Sequence, residues 1–165
     1  MLDLPLLYIG VDDADGEGAP DTEDVALEAG RALLSAGREV SIWRLDIPRS
    51  AAPRWDNGPS AYAVSVRADP GEALDVAGGV VADLSSDESS PGLALVIDEA
   101  PPGLVMLAED GLERVLSLDE VRSACEGTNV QLWELGGDGL GAVGAFMAAV
   151  LGSVGRCRLI ARLDG

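Results

Sequence analysis

The chain has no histidine and no lysine, so each of its 11 basic residues is an arginine. Without an imidazole there is no Ser-His-Asp or Cys-His catalysis and no zinc held by histidine. Proton transfer must fall to carboxylates, and any metal is expected to be a hard cation held by oxygen. Cysteine is scarce: Cys125 and Cys157 lie far apart with no CxxC spacing, which reads as two buried, inert thiols. No basic stretch precedes the short apolar run at 4–11, so no secretory signal is expected. Nor is there an apolar run of about 18 residues that would cross a membrane. These absences predict a cytoplasmic protein without membrane association.

What the chain does have is acid. Asp and Glu number 29 against 11 Arg, for a net charge of −18. Such a surface repels nucleic acid at long range and disfavours broad phosphate-neutralising binding by this chain alone, while leaving room for a local arginine patch. At 165 residues, 47% hydrophobic, with 21 Gly and 9 Pro, the chain is sized for one domain over 1–165 with many tight turns.

Apolar patterning alternates between two periods. Residues 4–11 read as a buried strand, and Asp21 as the N-cap of a helix in which Val25, Ala29, Ala32 and Leu33 keep helical spacing up to Gly37. Residues 40–45 and the alternating Tyr62, Val64 and Val66 read as strands, with a Pro- and Arg-rich loop between them. Pro70 opens a second helix to about Asp83, and 93–97 form a strand. Val105 to Leu107 and Arg114 to Leu116, flanking Asp110-Gly111, predict a hairpin. Ser117 caps a helix to about Cys125, 130–135 is a strand, 140–151 an apolar helix, and 158–163 a last strand. The expected fold is α/β, a mixed sheet with helices packed on its faces, in a single domain.

Three segments carry candidate chemistry. Asp12, Asp13 and Asp15 follow directly on the first strand. Carboxylates this close repel one another unless a cation or a donor sits among them, and one or two carboxylates with substrate phosphates are how Mg²⁺ is commonly held. Strand alternation sends Asp12 and Asp13 to opposite sides, so at most two of the three converge. A solvated acidic turn is the alternative, opposed by the location, because ligands of α/β sheets sit beyond strand carboxyl ends. The second segment, 136–144, is a glycine loop between a strand and a helix. Its backbone N–H groups and the helix N-terminus suit a phosphate, with Gly137, Gly139, Gly141 and Gly144 as the cradle. Gly139, Gly141 and Gly144 also spell GxGxxG, with Asp164 placed as the acid of a dinucleotide fingerprint. Close helix packing without any ligand would explain the same glycines. The third segment is the loop holding Arg49, Arg54, Trp55 and Asn57, in which Trp55 can stack on a base; an exposed loop with incidental charges accounts for the same residues.

In this order the segments resemble the kinase domain of the archaeal agmatinylcytidine synthetases that modify an isoleucine tRNA. That family opens with a strand and Ile-Asp-Asp-Thr-Asp-Ser, then Cys-Thr-Thr at a helix start; here Val11-Asp12-Asp13-Ala14-Asp15-Gly16 and Asp21-Thr22-Glu23 stand in those places. Its Ile-Pro and Arg-Gly-Asn-Gly correspond to Ile47-Pro48 and residues 54–58. Its Asn-Pro-Gly and a later Asp-Glu correspond to Ser90-Pro91-Gly92 and Asp98-Glu99. Its Gly-Asp-Gly-x-Gly-x-x-Gly-Ala corresponds to residues 137–145.

The resemblance implies ATP and Mg²⁺ as cofactors, with Asp12, Asp13 and Asp15 at the metal and the reacting phosphates. It places the family's autophosphorylated threonine on Thr22 and adds Arg54 and Asn57 to the nucleotide-binding set. The chain departs from the family at Ala14, Gly16, Asp21, Glu23 and Ser90, and lacks the parts that grip tRNA and agmatine, so a protein partner is expected to supply substrate binding. A diverged nucleotide-binding or partner-binding module without activity is the alternative from another class. Phosphoryl transfer asks chiefly for positioning and charge neutralisation, which carboxylates, backbone N–H groups and an arginine provide without histidine. Whether Arg31, Arg49 or Arg54 faces the phosphates is left open.

Overall fold

The structure, a computed structural model, describes residues 4–12, 21–48, 60–84, 90–135 and 140–163. Its strands are β1 (Leu6–Asp12), β2 (Gly37–Asp46), β3 (Ser60–Ala68), β4 (Gly92–Ile97), β5 (Val130–Glu134) and β6 (Arg158–Leu163). Its helices are α1 (Thr22–Leu33), α2 (Pro70–Leu84), α3 (Pro102–Asp110), α4 (Leu118–Cys125) and α5 (Leu140–Ser153). The strands form one sheet in the order β5-β4-β1-β3-β2-β6. All five pairings are antiparallel.

Alternation along β1 explains the layers. Leu7, Ile9 and Val11 join the core beneath α1 and α2, whereas Tyr8, Gly10 and Asp12 face the opposite side. On that second side lies α5, whose residues 141–150 are all buried. A helix that is apolar on every face has to be enclosed on every face. The sheet encloses one side of α5, and α3 and α4 enclose the other.

The α/β expectation holds, with helices on both faces of the sheet. Two local expectations do not. Residues 102–110 form helix α3 where the Asp110-Gly111 pair predicted a hairpin. Pro101 and Pro102 open that helix, as proline does at a first turn. Gly111 has φ −63, so it lacks the left-handed backbone that a tight Asp-Gly hairpin needs. Gly37 begins β2 instead of closing α1, which ends at Leu33.

The cap of α4 is built as its sequence predicts. The Ser117 hydroxyl accepts from the Glu120 N–H at 3.1 Å, and the Glu120 carboxylate accepts from the Ser117 N–H at 2.8 Å. Arg114 donates to both oxygens of the same carboxylate, at 2.7 and 3.2 Å. Arg114 and then the Ser117 N–H hold the Glu120 carboxyl at about 2, below its ordinary 4.5. A depressed carboxyl stabilises the fold above its unfolded value and loses that contribution as pH falls through the folded one. Amide-exchange protection at Ser117 and Glu120 is therefore expected to fall as pH drops from 4.5 toward 2. Glu120→Gln should erase that pH dependence.

Candidate functional site

The ends of the strands converge. In the registers of β1 with β4 and of β4 with β5, Asp12 lies opposite Gly92 and Gly92 opposite Glu134. Val11 lies opposite Tyr62, and Asp46 opposite Ser60. These residues mark one end of the sheet, where α1 also begins at Thr22 and α5 at Leu140. The segments 13–20, 49–59, 85–89 and 136–139 all connect elements at this end. Of the described residues that the sequence singled out, Asp98 and Glu99 lie at the other end, whereas Asp12, Thr22, Ser90, Pro91 and Gly92 lie at this one. In an antiparallel sheet the rule about strand carboxyl ends does not select it, since β3 and β4 start here while β1, β2 and β5 finish here.

On the α5 face of this end, missing side chains set the geometry. A Cβ on Gly10 would run into the backbone carbonyl of Ala145, and one on Gly92 into the backbone of Ala142. In return, a Cβ on Gly141 would strike the Ser90 carbonyl and one on Gly144 the Asp12 carboxylate. Helix and sheet therefore meet backbone to backbone, with the Asp12 side chain lodged against Gly144 in the second turn of α5. A carboxylate there sits in the favourable field of the helix N-terminus. The N–H of Gly141 is donated to the Ser90 carbonyl at 3.1 Å, and that of Leu135 to Pro91 at 2.9 Å, so β4's lead-in is stitched to both ends of the glycine loop.

On the opposite face, Arg44 reaches across the start of α1. It donates to Asp46 at 2.7 Å, lies 3.9 Å from Glu23, and stands over the Tyr62 ring at 6.0 Å. The Tyr62 hydroxyl donates to Glu23 at 3.4 Å. Burial pushes this phenol up to about 12; Arg44 opposes the shift and Glu23 adds to it. Thr22, the residue before Glu23, is buried.

Of the expected site residues, the structure brings Asp12, Gly141 and Gly144 together and places Thr22 at the same end of the sheet. Asp13, Asp15, Arg54, Asn57, Gly137 and Gly139 lie outside the described residues, as do Arg49, Trp55 and Asp164. Arg31 is in the last turn of α1, paired with Glu28, at the end of the helix remote from Thr22. The dinucleotide arrangement is not formed. β5 and β6, which flank α5, sit at opposite edges of the sheet, whereas the fingerprint needs two neighbouring parallel strands. Among the described residues no group of three or more carboxylates or thiols gathers to hold a metal. Asp12, set against Gly144, is one described carboxylate at this end; Glu23, Asp46 and Glu134 are others.

The sequence reading missed Gly10, Gly92 and the Glu23–Arg44–Tyr62 group. A lone glycine within a strand signals close backbone approach, and both glycines carried that signal. The Arg44 group carried none, because it depends on β2 pairing with β3. The tightness of the α5 contact supports a direct test. Gly144→Ala would force the Asp12 carboxylate aside without touching backbone. It is expected to cost about 1–3 kcal/mol in urea denaturation while leaving the circular dichroism spectrum unchanged.

A shallow cavity lined by Glu99, Ala100, Pro102, Val105, Met106 and Val154 lies at the other end of the sheet and contains no expected site residue. No helix of the described residues is long and apolar enough to cross a membrane.

No family model matches the chain, and no curated protein matches it. Solved structures do. The tRNA agmatidine synthetase TiaS bound to an isoleucine tRNA and ATP is similar at a TM-score of 0.78 and 22% identity, over 88% of this chain and 36% of that one. Apo TiaS gives 0.76 and 24% over 88% and 35%. TiaS with tRNA, AMPCPP and agmatine gives 0.75 and 20% over 88% and 36%. At these identities the likeness is one of fold, and the chain spans just over a third of each of those proteins. The chain is thus a six-stranded antiparallel α/β unit with the fold of a part of TiaS.

Proposed function

We propose that this domain binds ATP with Mg²⁺ where Asp12 meets the start of α5, and that it serves as a phosphotransferase or ATPase, alone or with a partner chain. The observation that carries the reading is the Asp12 carboxylate lodged against Gly144 in the second turn of α5. The likeness in fold to a protein solved with ATP supports it. Asp12 holds the cation, with Asp13 and Asp15 as its neighbours in sequence. The N-terminal field of α5 and the loop glycines Gly137 and Gly139 face the phosphates. Gly141 and Gly144 act by letting helix and sheet close to contact, which fixes that field relative to Asp12. Thr22 is the hydroxyl at the reacting end, and Arg54 and Asn57 complete the nucleotide contacts. Bound Mg²⁺ would neutralise charge on the transferred phosphoryl group. The acceptor is left to a partner, since a domain of net charge −18 repels the backbone of a nucleic acid.

A second reading has its own observation. Gly141 gives its N–H to Ser90, and Gly144 and Gly141 both make room for neighbours within the chain, so packing alone accounts for these two glycines. Under that reading the domain binds a partner and no nucleotide. Thermal unfolding with ATP–Mg²⁺, ADP, GTP and NAD separates the two. Stabilisation by ATP–Mg²⁺ is expected, and its absence at millimolar ATP favours the partner-binding module.

A further inference from the structure

One edge strand of the sheet, β6, carries arginines and no acid. Strands β3, β2 and β6 together carry Arg38, Arg44, Arg67, Arg158 and Arg162 with Glu39 and Asp46; Arg67 pairs with Glu39 and Arg44 with Asp46 and Glu23, which leaves the excess at Arg38 and on β6. Arg156, just before β6, is paired with Glu109 of α3. This excess of positive charge stands in a chain whose net charge is −18. The edge strand itself, Arg158–Leu163, contains no acid.

That edge is also open. β6 pairs with β2 on one side, and no described strand pairs with the other. The opposite edge is dressed differently: β5 packs on α4, and its Glu134 is paired with Arg122. β6 has neither a proline nor a covering helix among the described elements. It exposes Leu159, 37% accessible, beside Trp43 of β2. Between Ile42 and Trp43 the register shifts, so Ile160 is the extra residue of a bulge. The bulge places Arg158 and Arg162 on opposite faces of the edge. Arg158 lies 3.9 Å from Asp46, and Arg162 has no ion pair among the described residues.

We propose that β6 is a docking edge for an acidic, extended segment of a partner protein, which adds to the sheet as a seventh strand. Backbone N–H and C=O groups of β6 supply the affinity, as in strand addition generally. Arginines on both faces of the edge select carboxylates on both faces of the incoming strand. A second copy of this chain is the wrong occupant: β6 contains no acid, so β6 against β6 gives its arginines no carboxylate partner. Single-stranded nucleic acid is disfavoured because the edge offers backbone hydrogen bonds and no exposed aromatic platform.

The test uses the full chain and an eight-residue peptide alternating Glu and Val, with Lys/Val and Gln/Val counterparts, read by calorimetry and by Trp43 fluorescence. The Glu peptide is expected to bind at least tenfold more tightly than the Gln peptide, and the Lys peptide not at all. Arg158→Glu with Arg162→Glu should reverse that order. Of two Glu peptides N-methylated on alternate backbone edges, one should lose binding and the other keep it. Equal binding of the three peptides, or equal binding of both methylated peptides, overturns the proposal. So does concentration-dependent dimerisation that the paired Arg→Glu variant alters, or tighter binding of an oligothymidine than of the Glu peptide.

Discussion

Gly10→Val is expected to unfold the domain or to bring it close to unfolding. The glycine sits in the central strand, and a side chain there meets the backbone carbonyl of Ala145. Backbone does not rotate out of the way as a side chain does. Relief requires α5 to lift off β1 and β4, which would open the core around Phe146, Ala148 and Val150. Overpacking of a core costs about 1–3 kcal/mol where side chains can adjust, and this substitution should exceed that range. Against a total stability on the order of 5–15 kcal/mol, such a loss is visible as a large drop in the urea midpoint. The control is Gly79→Ala. Gly79 is exposed in α2 with nothing near its absent Cβ, and alanine there should add about 0.5–1 kcal/mol through helix propensity. Opposite signs for two small substitutions at glycine would establish that the first acts through the α5 contact. A small loss for Gly10→Val would mean that α5 sits farther from the sheet.

Asp12→Asn is expected to abolish the thermal stabilisation by ATP–Mg²⁺ while leaving the unliganded melting temperature close to that of the parent. A ligand at 100 times its Kd adds about 2.7 kcal/mol to the folded state, a shift of several degrees for a domain of this size. Asparagine keeps the shape that packs on Gly144 but removes the charge that a cation requires. Gly144→Ala moves the same carboxylate and should weaken the shift as well. Retention of the full shift in Asp12→Asn would acquit the acidic end of the sheet. A shift with NAD but not with ATP would count against the phosphotransferase reading.

Much of the fold was legible because its elements differ in period. The alternation in 62–66 and the unbroken apolar run in 140–151 leave little choice of element, and the Ser117 and Glu120 pair announces its own helix. Asp110-Gly111 misled because the same dipeptide can close a helix as easily as a hairpin, and the two prolines at 101–102 decided the matter. Sheet order was not legible. Nothing local brings β6 beside β2 or separates β5 from β6, and that separation is what dismantles the GxGxxG reading. At the candidate site strand alternation set Asp12 and Asp13 on opposite sides, but which side faces α5 was not legible. The reason for Gly141 and Gly144 was not legible either, since it lies in what they face: Ser90 and Asp12, far away in sequence.

The enclosed helix α5 has a consequence for synthesis. It follows five of the six strands in chain order, yet one whole face of the sheet has no cover until it arrives. When residue 135 has emerged, β1, β3 and β4 are already available to pair, and Ala63, Ala94 and Val96 then line a bare apolar floor. Nascent chains halted between 135 and 153 are expected to be held by chaperones or to aggregate, and to become protease-resistant only after α5 and β6 are complete. Folding of these strands is in that sense decided by an element made after most of them.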